Sequence, residues 1–251
     1  MIDEVISIAN KAGQAILSVY DDPELSEKVD YKSDHSPLTL ADKRSNEVIV
    51  THLASLSPDI PILSEESAQA GYDIRRNWEK FWLVDPLDGT KEFINRNGEF
   101  TVNIALIEHR KPVLGVIYVP VTGCLYYSAE SVAIKDQWGN QEILKVRNAN
   151  KNRIAVRSKS HASPEEDQVL DRYAVEKFIS VGSSLKFCMV AEGKADLYYR
   201  HGPTMEWDTG AGQAILEAAG GRMYHGNDEG IPFTYNKENL LNGSFLCLGF
   251  N

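Results

Sequence analysis

The chain is poor in positive charge. Lysine and arginine number 26 against 36 aspartate and glutamate residues, a net charge of −10 over 251 residues. That balance argues against a nucleic-acid polymer as ligand, because phosphate-backbone binding needs a basic surface. A small phosphorylated ligand stays open, held by local devices: metal ions, helix N-termini or a few placed cations. Cysteine is scarce too. Cys124, Cys188 and Cys247 are odd in number, far apart and without C-x-x-C spacing, which fits a reducing compartment and three small buried apolar side chains. The amino terminus, Met-Ile-Asp-Glu, lacks the basic region and apolar core of a signal peptide. One uncharged stretch, Pro112 to Ala129, has the length of a membrane span. Gly115, Pro120 and Gly123 interrupt it, and its Val, Ile and Tyr content reads as a β-hairpin turning at 120–123. Internal repeats and low-complexity tracts are absent.

What is present is an ordinary globular composition, 43% apolar and 25% charged, long enough for one large domain or two small ones. Helical spacing of apolar residues runs from Ile2 to Tyr20 and from about Thr39 to Leu56, where Thr39 and Asp42 form a capping-box pattern. Residues 21–37 read as a loop. Short strands are expected at 81–84 and 101–108, followed by the hairpin and edge strands to about 146. The polar segment near Asn148 to Arg153 marks the expected boundary between an N-terminal α+β domain, 1–149, and a C-terminal α/β domain, 150–251. The second part alternates strand and helix: strands at 154–157, 178–181 and 195–199, helices at 164–173, 185–191 and 207–219. In the first part, strands between helices followed by a run of consecutive strands suggest an antiparallel or mixed sheet under helices, and the alternation of the second part reads as an α/β layer.

The chemistry concentrates where apolar runs break into acids. Phe81-Trp-Leu-Val84 ends in Asp85-Pro-Leu-Asp88-Gly89-Thr90. Pro86 cannot donate to a sheet and Gly89 permits unusual backbone angles, so the strand is expected to stop at Val84. A buried strand ending in carboxylates calls for positive charge. Ser64-Glu65-Glu66 and Trp207-Asp208 are similar junctions. Hard divalent cations take oxygen ligands, and two of them about 3.5–4 Å apart clamp the attacking and leaving oxygens of an in-line phosphoryl transfer. Asp85 is placed to bridge two ions, with Glu65 on one side and Asp88 and Asp208 on the other. Gly89 and Thr90 offer N–H groups to a phosphate. Each residue has a plainer reading when taken alone. Asp88-Gly89 is a common tight turn, Asp208 a helix N-terminal acid, Glu65-Glu66 a solvated charge pair and His161 a loop histidine.

The ensemble decides. Asp85-Pro-Leu-Asp88-Gly89-Thr90, with the downstream Trp207-Asp208-x-x-Ala-Gly212, resembles the paired signatures of the inositol monophosphatase superfamily of Mg²⁺-dependent, lithium-sensitive phosphatases. Leu63-Ser-Glu65-Glu66 and Leu38-Thr39-Leu-Ala-Asp42 fall where that family has its metal glutamate and its Thr-x-x-Asp element. Asp88-Gly-Thr-Lys-Glu-Phe93, Asn97 to Ile104, Ser158-Lys-Ser-His161, Gly182-Ser-Ser-Leu-Lys186 and Arg200-x-Gly-Pro-Thr204 are similar to the bacterial CysQ type, the 3′(2′),5′-bisphosphate nucleotidases. The resemblance covers essentially the whole chain. It implies the alternating α-β-α-β-α sandwich of that superfamily and hydrolysis of the 3′-phosphate of 3′-phosphoadenosine 5′-phosphate to AMP.

Carried onto this chain, the resemblance makes Glu65, Asp85, the Leu87 carbonyl, Asp88 and Asp208 the ligands of two or three Mg²⁺ ions, with Li⁺ as an inhibitor. Asp42 and Thr90 become the pair that aims and helps deprotonate the attacking water, with Glu65 beside them. Leu87, Asp88, Gly89 and Thr90 contact the phosphate. Ser158, His161, Gly182, Ser183, Lys186 and Arg200 hold the nucleotide, together with Glu65 and Asp208. One departure is Gly210, where the pattern expects Ala. The resemblance also implies a cytoplasmic enzyme, with peripheral association at the inner membrane described for some relatives. It leaves open the sulfated nucleotide as a second substrate and an inositol or sugar phosphate as the true one. A non-catalytic nucleotide or metal sensor is the competing reading of another class.

Overall fold

The structure is a computed structural model that describes residues 1–26, 29–31, 37–157, 164–227 and 229–250. Helix α1 (Ile2–Tyr20) follows the apolar periodicity, burying Val5, Ile8, Ala9, Ala12, Ile16 and Val19. The segment read as a loop holds a one-turn helix, α2 (Pro23–Ser26), and a strand, β1 (Val29–Tyr31), paired antiparallel with β2 (Pro37–Thr39). The side chain of Asp22 accepts from the N–H of Glu24, which starts that extra turn. Helix α3 (Leu40–Leu56) opens on the expected capping box. Thr39 Oγ1 accepts from the N–H of Ala41 and Asp42, and the Asp42 carboxylate accepts from the Thr39 N–H.

The first sheet contains β3 (Ile62–Ser64), β4 (Lys80–Asp88), β5 (Thr101–Glu108), β6 (Lys111–Val119), β7 (Cys124–Ala129), β8 (Val132–Gln137) and β9 (Asn140–Ile143), in that spatial order. Short helices α4 (Tyr72–Arg75) and α5 (Thr90–Ile94) flank β4. The β3–β4 pair is parallel and every other pair antiparallel, so the sheet is mixed. The expected end of the strand at Val84 is corrected: β4 runs on to Asp88. It does so through a register shift between Asp85, opposite Asn103, and Asp88, opposite Thr101. Pro86 and Leu87 fall inside that irregularity, where the missing proline donor costs no ladder bond.

The rest of the chain is β10 (Arg153–Arg157), α6 (Pro164–Arg172), β11 (Val175–Ser180), α7 (Leu185–Ala191), β12 (Leu197–Arg200), β13 (Thr204–Met205), a 3₁₀ turn at Glu206–Asp208, α8 (Gly210–Ala218), β14 (Arg222–His225), β15 (Ile231–Pro232), β16 (Leu241–Asn242) and β17 (Phe245–Leu248). The second sheet has the order β11-β10-β12-β17-β14-β15, and β13 pairs with β16 apart from it. Asp208 therefore closes a 3₁₀ turn rather than opening a helix.

Strand alternation sorts the first sheet's two faces. Trp82, Val84, Ile104, Leu106 and Val116 pack with α1 and α3. Phe81, Leu83, Ala105, Ile107 and Ile117 share a core with Phe187, Ala211, Ile215, Tyr198, Phe245 and Cys247, which places α7 and α8 between the sheets. Helix α6 covers the far face of the second sheet with Val169 and Leu170 on Ala155, Leu197 and Leu246. The result is the expected α-β-α-β-α layering. Close approach of α8 depends on Gly115 in β6, where a Cβ would stand 2.5 Å from the Ala211 carbonyl. Gly210 is similarly tight: a Cβ there would meet Leu83 Cδ2 at 2.9 Å, so a glycine in place of alanine has a packing reason.

Candidate active site

The residues of the acidic junctions converge at one end of the first sheet. Glu65 follows β3 and its N–H donates to the Val84 carbonyl at 3.1 Å, which registers it beside Asp85. Asp85 is 2% exposed, with Oδ1 accepting from the Leu87 N–H at 3.0 Å. Asp88, at the end of β4, accepts on Oδ2 from the Ser184 N–H at 2.5 Å and from Asn103 Nδ2 at 3.5 Å. Asp208 Oδ2 accepts from the Met205 N–H at 2.8 Å. Among the described residues none of Asp85, Asp88 and Asp208 is in an ion pair.

Their electrostatics follow from that arrangement. Burial first, then the charges of Glu65, Asp88, Asp208 and Asp42, hold the Asp85 carboxyl well above its ordinary range. Asp208 is raised likewise, by burial and then by Asp88. Asp88 is pushed up to about 6 by burial, against the opposing pull of Lys186 and of the Ser184 N–H. The acids raise one another, and the nearby charges of Lys186 and Arg200 offset only part of that effect, so the floor favours uptake of protons or cations.

The donor set fits a hard divalent cation. It consists of carboxylates at the end of a buried strand, oxygen only, beside the backbone irregularity that contains Leu87. Among the described residues no three acidic, imidazole or thiol side chains already stand at coordinating spacing. Asp85, Asp88 and Asp208 each have one oxygen turned onto a backbone amide instead.

Two further residues approach the floor from α3 and α5. Thr90 Oγ1 donates to Asp42 Oδ1 at 3.3 Å, while Thr39 Oγ1 and its N–H occupy Asp42 Oδ2 at 2.5 and 2.7 Å. Gly89, just before α5, has φ 91°, a left-handed angle that glycine adopts without steric cost. The bulge is pinned from below by Ser45 of α3, whose hydroxyl donates to the Pro86 carbonyl at 2.7 Å.

The opposite wall comes from the second half of the chain. The Gly182 N–H donates to Glu99 Oε2 at 2.7 Å. Ser183 has φ 45°, and its buried Oγ has no hydrogen-bond partner among the described residues. A Cβ at Gly89 would stand 3.2 Å from Ser183 Cβ, so the two loops touch. Lys186 is 6% exposed. Its ammonium donates to the Ser183 carbonyl at 2.6 Å and lies 5.7 Å from the Tyr198 ring centroid. Burial lowers its pKa to about 8, against the pull of Asp88. It is thus a strut beneath the 181–184 loop as well as a charge at the pocket. Arg200 Nε donates to the Gly202 carbonyl at 3.3 Å. These walls enclose a cavity of about 170 Å³, lined by Asp88, Gly89, Ser183, Lys186, Arg200 and Asp208 among others.

Ser158 and His161 lie outside the described residues. Sequence reasoning missed Ser45, Glu99, Thr101, Asn103, Ser184 and Tyr198. A signal existed for two of them. Thr101 and Asn103 are polar and two apart in a strand otherwise apolar through Ile107, so they share its inner face with Ala105.

The inositol monophosphatase family model matches residues 1–246. Proteins named 3′(2′),5′-bisphosphate nucleotidase CysQ from Shigella flexneri and from Escherichia coli strain K12 are each 48% identical over 246 residues, 98% of this chain and 98% of theirs. A crystal structure of CysQ from Bacteroides thetaiotaomicron, described as a bacterial member of that family, is 45% identical. It superposes with a TM-score of 0.85 over 98% of this chain and 95% of its own. A Thermotoga maritima IMPase, 21% identical, shares the fold with a TM-score of 0.77, covering 99% of this chain and 91% of its own. On the full-length family match and these full-length relatives, the chain belongs to the inositol monophosphatase family, on its CysQ branch.

Proposed function

We propose that this chain is a 3′(2′),5′-bisphosphate nucleotidase. It removes the 3′-phosphate of 3′-phosphoadenosine 5′-phosphate to leave AMP, with the sulfated nucleotide as a further substrate. The observation that carries the reading is the 48% identity, over 98% of each chain, to proteins named for that activity. The acid floor and the cationic wall facing it across one cavity support it.

Glu65, Asp85, the Leu87 carbonyl, Asp88 and Asp208 would hold the Mg²⁺ ions, two or three of them, and Li⁺ would inhibit by competing there. Bound divalent cations supply charge neutralisation and Lewis acidity at the phosphate. The protein's own groups do the rest. Asp42 has Oδ2 committed to Thr39, which leaves Oδ1 to take the Thr90 hydroxyl hydrogen. The Thr90 oxygen thereby turns a lone pair toward the attacking water and relays its proton to Asp42 Oδ1. The N–H groups at Gly89 and Thr90 orient the phosphate for in-line displacement. The new bond is water oxygen to phosphorus; the broken bond is phosphorus to the ribose 3′ oxygen, which takes a proton from solvent. Lys186 and Arg200 supply the positive charge for a second phosphate, a group that inositol monophosphate lacks. Ser158, His161, Gly182 and Ser183 contact the nucleotide.

We assign the catalytic acids chiefly to a domain of residues 1–149 and the nucleotide wall with Asp208 to one of residues 150–251. Among the described residues no helix is long and apolar enough to cross a membrane. A cytoplasmic location, with any membrane association peripheral, is part of the same reading.

Phosphate release from 3′-phosphoadenosine 5′-phosphate and from inositol 1-phosphate, each with Mg²⁺ and with added Li⁺, tests it. The nucleotide should turn over faster and Li⁺ should suppress it. Faster turnover of the inositol ester would overturn the substrate assignment.

A further inference from the structure

We propose that Thr101, Asn103 and Ser184 are positioning residues for Asp88, and that their hydrogen-bonded cluster sets how tightly the acid floor takes a divalent cation. This rests on the metal-dependent reading above.

The three side chains are 0%, 1% and 2% exposed. Thr101 and Asn103 stand on β5, and Ser184 immediately precedes α7, so the cluster joins the first sheet to the middle helical layer. Thr101 Oγ1 lies 2.8 Å from Ser184 Oγ, and Ser184 Oγ donates to Asn103 Oδ1 at 2.8 Å. Thr101 Oγ1 also reaches Asn103 Oδ1 at 3.2 Å. Each hydroxyl has one proton, so the shortest consistent set runs Thr101 to Ser184 to Asn103. With its carbonyl oxygen occupied, the Asn103 amide directs Nδ2 toward Asp88 Oδ2, 3.5 Å away. The Ser184 N–H holds the same oxygen at 2.5 Å. Both donors lie on Oδ2, and no hydrogen bond among the described residues engages Oδ1. Asp88 is therefore oriented through one oxygen, and the other would be available to a cation.

The cluster also follows from the backbone. The register shift in β4 places Asp88 opposite Thr101 and Asp85 opposite Asn103. The two polar residues of β5 thus sit under the two acids of the bulge, on the face that Ser184 reaches. Hydrogen bonds that orient a metal-binding carboxylate are worth about 10- to 100-fold in metal affinity. A cluster that merely satisfies buried polar atoms would affect stability and leave affinity alone.

Calorimetric titration of Mn²⁺ into the full chain separates these cases, with the metal-free melting temperature measured alongside. Thr101→Val removes the hydroxyl at nearly constant volume, Asn103→Ala removes the amide, and Thr101→Ser keeps the hydroxyl. We expect the Kd for Mn²⁺ to rise about 10- to 100-fold in the first two, and Thr101→Ser to stay within about threefold of the parent. Should Asn103→Ala fail to fold, the Thr101 pair decides. An unchanged Kd in a folded Thr101→Val protein overturns the proposal, and so does weakened binding that Thr101→Ser does not restore. A parent chain that takes up no Mn²⁺ overturns the metal reading itself, a result distinct from either.

Discussion

Two acids stand two residues apart on the same 3₁₀ turn, Glu206 buried and Asp208 half-buried, and are treated in opposite ways. Glu206 is 0% exposed and accepts from the Asn236 N–H at 2.7 Å, the Lys237 N–H at 2.9 Å and the Lys237 ammonium at 2.6 Å. Asn236 is tied in turn to Arg75 of α4, which donates to the Asn236 side chain at 3.0 Å and to the Lys237 and Glu238 carbonyls at 2.6 Å each. Asp208 has one amide donor, no ion pair among the described residues, and other carboxylates as neighbours. A buried charge must be paired or it neutralises. The protein supplies every partner for Glu206, and that acid holds the turn to the 235–240 segment. For Asp208 the charge of Arg200 opposes burial and Asp88 without overcoming them, and on the proposed function a bound cation completes the compensation. Burial alone marks neither role; the source of the compensating charge does.

This contrast can be broken from either side. Asp88→Asn and Asp208→Asn should each lower phosphate release at least about 10⁴-fold, roughly 5.4 kcal/mol of transition-state stabilisation, while the metal-free protein keeps or gains stability as like-charge repulsion is relieved. Turnover at the parental rate in either variant would end the assignment of these acids. Glu206→Ala should do the reverse. It leaves the Asn236 and Lys237 amides without their acceptor and the Lys237 ammonium with Asn242 Oδ1 alone, at a cost of about 3–5 kcal/mol in denaturant unfolding. A variant as stable as the parent would remove the distinction.

Mg²⁺ at 100 times its Kd should stabilise the parent by about 2.7 kcal/mol, read as a rise in melting temperature, and should leave Asp208→Asn nearly unmoved. The pH dependence sharpens the same point. Asp88, pushed up to about 6, and Asp85 and Asp208, both held well above the ordinary carboxylate range by burial and like charge, have folded pKa values above those of an unfolded chain. Over the interval between 3.8 and the raised values the folded state binds more protons, so these acids make the metal-free protein less stable as pH rises through it. Melting temperatures at pH 5 and 7, without and with Mg²⁺, should show this contribution only without the ion, and Asp88→Asn should diminish it. The smallest effect is expected from Gly210→Ala. Helix propensity favours alanine by about 1 kcal/mol, and the 2.9 Å approach to Leu83 offsets it, so the melting temperature should move little.

Legibility along the chain followed the range of the interactions. The Thr39–Asp42 capping box is local, and its pattern implied the start of α3. The apolar alternation of Thr101 to Glu108 implied a strand with two faces. The acids of the 85–90 stretch were conspicuous because charge at the end of an apolar run is costly. Pro86 misled the reading of that strand, because a proline inside a bulge costs no ladder bond and the bulge is visible only when β5 is paired beside it. Thr101 and Asn103 were legible as a polar pair on one face of a strand, but nothing linked them to Ser184, because the contacts that join it to them span more than 80 residues. Lys186 was legible as a cation but not as the strut that ties Ser183 into place.

The sequence by itself therefore determined the long helices, most of the strands, the acids and, through two ordered signatures, the family. Those properties are written in nearest neighbours and in residue chemistry. Tertiary structure alone decided which acids are satisfied internally and which are crowded by like charge. Burial, like-charge proximity and the count of donors on each oxygen arise only when β4, α7 and the Glu206–Asp208 turn meet at one point.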